Sequence, residues 1–457
     1  MLKELEAIFH PFIKKSAVSV MARAAMERLL SPKWIDEVFN KTTDGQYTRS
    51  LMFSSVFGLM VRVVFKQAKS VRSAYLDKAE KLTVSLTSVY NKLNGVTPTT
   101  AAGLVRESGR ACAAVINQMG GCRVPLLEGY TTRILDGNCL AASEHRLKEL
   151  RTTGAGALPG KSLVVYDPDR GCVLEIVPCE DAHTQERALL GEILAMVKPG
   201  ELWIEDRNFC TRGFLFGVED GHGFLLVREH KNLPVVARGR KRLVGKSPTG
   251  NVFEQKVQVR SEDGMHVLVL RRVIVELSKP TRDGDKQLVL VTTLPKKIKA
   301  TKVAQLYHGR WKIENAFQQV EHDLNSEICT IGYPRAALFG FAVALVAYNI
   351  MALVYGALRA GHGAEKIDEE FSHYYLANEL ELVHAGMMIA IPEQHWHPFA
   401  KMTDRRFAAV LLFLASQVNL KRFPKSRRGP KKPPTKKWFH AGHPHVSTAR
   451  LLANRNA

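Results

Sequence analysis

An uncharged segment of 23 residues, AALFGFAVALVAYNIMALVYGAL at 336–358, sets the first limit on the fold. Its length and composition meet the rule for a membrane-spanning helix. It is also rich in Ala and Gly and carries Asn349 near its middle. A helix that is apolar on every side can equally be the buried centre of a large globular domain. We favour the buried helix, and we therefore expect no membrane partner.

Positive charge is concentrated in two parts of the chain. The segment 232–300 has 15 Lys and Arg against 6 Asp and Glu, and the segment 421–457 has 11 Lys and Arg and no acid. Together they account for nearly all of the net charge of +21. Such patches indicate a polyanionic partner, and we expect double-stranded DNA. An anionic membrane surface is the competing interpretation.

The cysteines and the N-terminus bear on the cellular compartment. Seven cysteines, an odd number, are scattered without a C-x-x-C pair, which indicates reduced thiols. The N-terminal stretch MLKELEAIFHPFIKKSA carries acids and has no long apolar run, so it does not resemble a secretory signal. We expect a cytoplasmic protein that associates with the nucleoid when it binds DNA.

Length and hydrophobic patterning predict an α/β protein with several regions. A chain of 457 residues with 46% hydrophobic residues can bury sizeable cores, and about two to four domains are expected. Strand-like runs alternate with a helix-like run, TQERALLGEILAMV at 184–197, where Thr184 is a candidate N-cap; this order predicts a mixed sheet covered by helices. The predicted regions are N-terminal helices (1–125), a first core part (126–231), a basic β-rich insertion (232–295), a second core part (296–360), C-terminal helices (361–420) and an extended basic tail (421–457).

Three motifs have weaker interpretations. The segment 80–96 resembles a DNA-reading helix-turn-helix, although a plain helical bundle explains it as well. The segment GAGALPGKS at 154–162 lacks the first glycine of a phosphate-binding loop and leads into a strand, so we reject that function. Histidines in HWHP (395–398) and HAGHPH (440–445) lack partners at metal-ligand spacing.

One predicted helix, YHGRWKIENAFQQVEHDL at 307–324, carries an unusual set of polar residues. Steps of about 100° per residue place Tyr307, Arg310, Glu314 and Glu321 in one column beside an apolar stripe. A solvated face with ion pairs between successive turns would explain the column equally well.

Two aspartates follow apolar strand-like runs. Asp136 comes after the run RIL, and Asp206 comes after LWIE. A lone buried carboxylate costs several kcal/mol unless it is paired or metal-bound. Either residue could instead cap a helix or pair with Arg133 or Arg207. Two strand-end aspartates and a helical glutamate together suit a site for two Mg²⁺ ions that acts on phosphodiesters.

These residues resemble a known family. The order of DGN at 136, DRNF at 206 and Tyr307-x2-Arg310-x3-Glu314 is similar to the DDE transposases of bacterial insertion sequences, specifically the group with the Y-R-E-K signature. The resemblance implies a ribonuclease-H-like core, with Asp136, Asp206 and Glu314 as catalytic ligands of two Mg²⁺ ions, for which Mn²⁺ could substitute. It also implies cleavage of element ends, transfer of the 3′-OH to target DNA, and a homodimer on DNA.

The same resemblance and the basic segments suggest the DNA contacts. Arg310 would bind a backbone phosphate, because its planar guanidinium suits phosphate geometry, and Tyr307 would help to seat the same backbone. We expect further DNA contacts from basic residues near the second aspartate, in the insertion and in the tail. These residues are Arg207, Arg240, Lys241, Arg242, Arg427 and Arg428.

Two departures from the family pattern leave alternatives open. The position of the signature Lys, seven residues after Glu314, is Glu321, which could be a fourth acid or a rival for the third. The insertion has Phe253 but no Trp between 232 and 300, which puts a hairpin-forming excision route in doubt. A ribonuclease-H-like nuclease without strand transfer and an inactive DNA-binding remnant are the alternative functions.

Overall fold

We describe a computed structural model of the chain. It covers residues 2–46, 50–140, 147–150, 156–281, 284–328, 330–426 and 446–454. Within these ranges a large mixed sheet is flanked by helices, which confirms the predicted α/β fold class.

Among the described residues, helices make up most of 2–119 and of 300–416. In the described ranges they are α1 (Leu2–Leu29, kinked at Ser16), α2 (Pro32–Thr42), α3 (Phe53–Val64), α4 (Val71–Leu76), α5 (Leu86–Asn94), α6 (Pro98–Met119), α7 (Leu190–Leu194), α8 (Arg212–Asp220), α9 (Ala300–His308), α10 (Trp311–His322), α11 (Pro334–His362), α12 (Ala364–Glu370), α13 (His373–Ala390), α14 (His397–Ala400), α15 (Asp404–Ser416) and α16 (Thr448–Ala453).

Strands occupy the middle of the chain, apart from one short strand near the C-terminus. They are β1 (Thr131–Leu140), β2 (Ala157–Leu158), β3 (Gly160–Asp167), β4 (Cys172–Cys179), β5 (Glu201–Glu205), β6 (Phe224–Arg228), β7 (Val235–Ala237), β8 (Arg242–Ser247), β9 (Gly250–Arg260), β10 (Val267–Leu277), β11 (Gln287–Thr292) and β12 (Val446–Ser447).

The main sheet has the order β4-β3-β1-β5-β6-β11-β10-β9-β7, and β8 also pairs with β9. Strands β1, β3 and β4 are antiparallel neighbours, and the β3–β4 hairpin turns between Asp167 and Cys172, as the sequence predicts. Strands β1, β5 and β6 are parallel. The parallel pairing of β1 with β5 ends at Leu135 and Glu205, and the site described below lies directly after this pair.

The basic insertion continues this sheet. Strand β11 pairs antiparallel with β6, and β10 and β9 follow it outward. The sequence predicts β9, β10 and β11, whereas the short strands β7 and β8 are missing from that prediction. Shared strand pairing therefore joins the insertion to the core without a separate sheet.

Helix α11 is the centre of the molecule. Its most apolar stretch is 94% buried by other parts of the protein. Asn349 is fully buried there: its side chain accepts a hydrogen bond from the Val173 backbone N–H (2.8 Å) and donates one to the Val173 carbonyl (2.9 Å). The uncharged segment is therefore a buried helix, as the sequence analysis favours.

The N-terminal helices share the core of the sheet. Helix α6 packs against both α11 and β4, and Gly109 of α6 lies so close that a Cβ atom there would come within 2.3 Å of the Val173 carbonyl oxygen. The expected second helix of the helix-turn-helix pattern is α5, capped by Ser85 and ending at Gly95. One hydrophobic core contains residues from several of the predicted regions, so it does not mark the boundaries between them. The predicted boundaries therefore remain predictions.

Two predicted helices differ in the structure. The segment 184–197 forms only a 3-10 turn at Glu186–Leu189 and the short helix α7, and Thr184 is not its N-cap. The segment 307–324 is divided between α9 and α10. Backbone N–H groups of Gly309, Arg310 and Lys312 bond to the carbonyl three residues earlier, which tightens the chain at this junction.

Candidate active site

The register of β1 and β5 brings the two aspartates together. The last parallel pair is Leu135 with Glu205, so Asp136 and Asp206 are the next residues on adjacent strands. Asp136 lies inside β1, because this strand continues along β3 after its pairing with β5 ends. Glu205 is the last residue of β5 and is fully buried, and Asp206 follows it directly.

The junction between α9 and α10 positions the remaining polar residues. Tyr307 is in the last turn of α9, and Arg310 immediately precedes α10, which carries Glu314 in its first turn. The prediction that these residues lie on one continuous helix is therefore wrong. The side chains of Tyr307, Arg310 and Glu314 nevertheless converge. Ile313 and Leu324 are buried beside them, as the predicted apolar stripe requires.

Arg310 is the centre of a charged cluster. Its Nη1 donates to Asp136 Oδ2 at 3.1 Å, and its Nη2 donates to Glu314 Oε1 at 2.6 Å. The Tyr307 hydroxyl donates to Asp206 Oδ1 at 3.4 Å, a long hydrogen bond. The guanidinium carbon lies 6.0 Å from the centre of the Tyr307 ring. Through these contacts, all five residues predicted from the three motifs lie in one cluster.

Burial and neighbouring charges perturb this cluster. Burial raises the pKa of Asp136 to about 6, and Glu314 and Asp206 add to the rise, while Arg310 and the Gly137 N–H lower it. The Gly137 N–H donates to Asp136 Oδ1 at 2.9 Å. The Nε of Arg310 is buried, and the described residues offer it no hydrogen-bond acceptor.

The alternative explanations for the aspartates are not supported. Arg133 forms ion pairs with Asp167 and Glu201, both at 3.0 Å. Asp206 precedes the 3-10 turn Arg207–Phe209, but its side chain makes no capping hydrogen bond there. Within the described residues neither Arg133 nor Arg207 forms an ion pair with these aspartates, and Asp136 pairs with Arg310 instead.

The acidic residues have the chemistry of a divalent-cation site, but they are not arranged as one. Within the described ranges, no group of three His, Cys, Asp or Glu residues is placed to hold a metal ion. The three carboxylates are hard oxygen donors of the kind that Mg²⁺ prefers. Arg310 supplies positive charge between two of them. The donor set therefore fits a divalent cation, provided that Arg310 moves away.

Most of the other predicted DNA contacts are exposed. Arg207 directly follows Asp206, and Arg240 and Arg242 lie at the start of the insertion. Lys241 donates to Glu276 at 2.6 Å and lies 4.0 Å from the centre of the Phe253 ring, an arrangement that the sequence analysis did not predict. Arg427 and Arg428 lie outside the described residues, as do the histidines at 440, 443 and 445.

Glu321 is separated from the cluster. It is exposed and lies seven residues after Glu314 on α10, which corresponds to roughly 10 Å along the helix axis. Glu314 pairs with Arg310, whereas no hydrogen bond or ion pair links Glu321 to the cluster within the described residues. The geometry therefore favours Glu314 over Glu321 as the third acid.

Comparison with known proteins identifies the central region. Residues 128–350 match the model of the transposase DDE domain family, whose members generally use a divalent metal. A protein of Sinorhizobium fredii that is named as the transposase y4zB is 27% identical to this chain over 194 residues, which are 42% of this chain and 52% of that protein. The chain thus spans about half the length of this curated relative.

A solved structure gives a much weaker likeness. The cryo-EM structure of the piggyBac transposase synaptic complex with hairpin DNA aligns over 82% of this chain and 81% of its own, with 10% identity and a TM-score of 0.36. We draw no conclusion from a similarity at this level. Residues 128–350, which include all five residues of the cluster, are therefore similar to the transposase DDE domain family, and this similarity supports a DDE transposase of insertion sequences.

Proposed function

We propose that this chain cleaves phosphodiester bonds at the ends of a mobile DNA element and joins the freed 3′-OH to target DNA. The observation that carries the proposal is the convergence of Asp136, Asp206 and Glu314 around Arg310 and Tyr307. The parallel pairing of β1 and β5 fixes the first two acids, and the α9–α10 junction brings the third to them.

We assign Asp136, Asp206 and Glu314 as the residues that would hold two Mg²⁺ ions, with Mn²⁺ as a substitute. Such ions supply an activated nucleophile and stabilise the leaving oxygen in phosphoryl transfer. Because carboxylates repel one another when they converge, the site needs positive charge, which Arg310 provides in the free protein.

Arg310 would bind the DNA backbone, and Tyr307 would orient one of the acids. When Arg310 leaves Asp136 and Glu314, its guanidinium can bind a backbone phosphate in two-point geometry, and its buried Nε already lacks an acceptor. Tyr307 donates to Asp206 and so restrains the orientation of this carboxylate. Both residues are only slightly exposed, which keeps water away from these contacts.

The partner in this proposal is double-stranded DNA. The exposed cations of the insertion include Arg242 in β8, which belongs to the same sheet as β1 and β5, and Arg240 just before it; these cations would bind the phosphate backbone. Two element ends have to be paired, so we propose a homodimer on DNA, to be measured by light scattering with and without element-end duplexes. The proposed location is the bacterial cytoplasm.

An oligonucleotide assay tests the proposal. Duplexes from the ends of the element that encodes this chain are incubated with Mg²⁺ and target DNA, and nicked and joined products are separated on a gel. Asp136→Asn and Glu314→Gln should abolish both products. Glu321→Gln is the matched control on the same helix and should keep them.

The possible outcomes separate the alternatives. Nicked products without joined products would favour a nuclease that lacks strand transfer. Binding of duplex without any cleavage by the unmodified protein would favour the inactive remnant. If Asp136→Asn leaves cleavage unchanged, or if Glu321→Gln abolishes it while Glu314→Gln does not, the proposed site is wrong.

A further inference from the structure

A cavity of about 470 Å³ lies beside α10, away from the acidic cluster. We call it the α10 cavity. Its walls come from α10, the second half of α11, α12 and the start of α13. The residues used below are Arg123, Lys312, Tyr355, Asp368, His373 and Lys425. Lys312 lies two residues before Glu314, so about 200° of helical rotation separates their side chains.

Two polar atoms in the wall of this cavity have no partner in the described protein. The Tyr355 side chain is 3% exposed, and its hydroxyl makes no hydrogen bond within the described residues. The Nδ1 atom of His373 is likewise buried and unpaired. The two rings stack with their centres 4.3 Å apart. A buried polar atom without a partner costs about 1–3 kcal/mol, so a water or a ligand oxygen that enters the cavity would gain by bonding to these atoms.

Positive charge exceeds negative charge around the cavity. Arg123 pairs with Asp368 at 2.8 Å, and the same carboxylate also accepts from Arg359 at 3.1 Å behind the wall. Lys425 donates to the backbone carbonyl of Asp368 at 2.7 Å, so its charge is not neutralised by a carboxylate. Asp368 is therefore shared between two arginines, and the lysine adds to the surplus.

Lys312 contributes a further cation. Its ammonium group has no ion-pair partner among the described residues, and burial lowers its pKa, as does the nearby Arg123. The other acid of the lining is Asp323, whose pKa burial raises to about 6. Even with Asp323 ionised, the three cations of the lining outnumber its two acids by one, and Asp169 also attracts Lys312. Its unpaired groups are mainly hydrogen-bond donors, which suits an anion with several acceptor oxygens.

We propose that the α10 cavity binds the phosphate group of a nucleotide. Lys312 and Arg123 would contact its oxygens, and the Tyr355 hydroxyl would donate to one of them. A phosphate at this place would contact the helix that carries Glu314 from its other side. The nucleotide is either part of a bound DNA strand or a free molecule, since both present the same phosphate chemistry. The proposal does not require the cluster around Arg310 to be catalytic.

Calorimetric titrations with inorganic phosphate, deoxyadenosine monophosphate and a duplex oligonucleotide test this site. The full chain is compared with Lys312→Gln, Tyr355→Phe and Lys366→Gln, the last being a matched control because Lys366 is exposed on α12. Lys312→Gln should weaken phosphate binding about tenfold, as expected for loss of one charge-assisted hydrogen bond. Lys366→Gln should leave phosphate binding unchanged.

The Tyr355→Phe variant tests whether the Tyr355 hydroxyl contributes to phosphate binding or to the stability of the fold. Because the hydroxyl has no partner in the described protein, its removal should not lower the unfolding midpoint, whereas phosphate binding should weaken about threefold or more. Phosphate binding that is absent, or equally strong in all four proteins, would overturn the proposal. A lower unfolding midpoint in Tyr355→Phe with unchanged phosphate binding would also overturn it, since the hydroxyl would then be structural.

The three probes identify the source of the phosphate. If the ligand is DNA, Lys312→Gln weakens duplex binding and deoxyadenosine monophosphate competes with the duplex. If it is a free nucleotide, the mononucleotide binds through Lys312 and duplex binding is unchanged by the substitution. Asp136→Asn, which removes cleavage under the proposed function, should leave phosphate binding intact. Failure of cleavage and failure of this cavity are therefore distinguishable.

Discussion

Replacing Arg310 with Ala should change metal binding and DNA cleavage in opposite directions. In the free protein the guanidinium neutralises Asp136 and Glu314, so it competes with any divalent cation for the same oxygens. Its removal should strengthen binding of Mn²⁺ in the absence of DNA. Cleavage of DNA should nevertheless fall, because the proposed phosphate contact is lost with the same side chain.

The structure allows the size of the first effect to be worked out. A hydrogen bond to a charged group contributes about 1.5–3 kcal/mol, but exposed ion pairs contribute about 0–1 kcal/mol. The Arg310 and Asp136 side chains are 11% and 20% exposed, whereas Glu314 is 43% exposed, so most of the effect comes from Asp136. A net gain of about 1–2 kcal/mol for the cation corresponds to roughly 5- to 30-fold tighter binding.

The assay is a titration of free Mn²⁺ by electron paramagnetic resonance at pH 8. This pH lies well above the pKa of about 6 for Asp136, and loss of Arg310 raises that pKa further because the guanidinium lowers it. Arg310→Lys is the matched comparison, since it keeps the charge but loses the two-point geometry. Its Mn²⁺ affinity should lie between those of the unmodified protein and Arg310→Ala.

Unchanged or weaker Mn²⁺ binding in Arg310→Ala would refute the competition between guanidinium and cation. Asp136→Asn serves as the control for the site itself, because it removes a charge that the cation needs. If tighter binding in Arg310→Ala persists when Asp136 is also replaced by Asn, the extra Mn²⁺ binds elsewhere.

Three further predictions concern folding and are checked by urea unfolding. Gly109→Ala should destabilise the protein by about 2 kcal/mol or more, since its Cβ would collide with the Val173 carbonyl, whereas Gly58→Ala, with open space around it, should be neutral or stabilise by up to about 1 kcal/mol. Asn349→Leu should cost about 2–4 kcal/mol, because the Val173 N–H and carbonyl lose their buried partner; a change below 1 kcal/mol would contradict this. Burial lowers the pKa of His373 to about 3, so the unfolded state takes up more protons and stability should fall as pH drops from about 6.5 towards 3, by about 2 kcal/mol at pH 5; a His373→Phe variant with an equally steep acid dependence would exclude this residue as the cause.

Much of the fold could be predicted because local patterns and burial agree. The β-branched runs that become β9, β10 and β11 carry strand signals of their own, and the uncharged segment of α11 has too few polar groups to face water. The helix predicted at 184–197 is shorter than expected and partly 3-10, because this form already buries Leu190 and Ile193 in a hydrophobic cluster with residues of the sheet. The strands β7 and β8 were missed because their short sequences carry little strand signal. They are stabilised mainly by pairing with β9, which is a contact between separate segments of the chain.

The sequence by itself determined the types of residue at the site and their order: two aspartates after strand-like runs and a glutamate on an amphipathic helix. It could not determine that Leu135 pairs with Glu205, which places Asp136 beside Asp206, because register depends on contacts between distant segments. Only the tertiary structure decided that Arg310 bridges two of the acids, since the tightened α9–α10 junction turns this side chain towards β1. The α10 cavity likewise exists only where separate helices pack, and no local pattern marks it in the sequence.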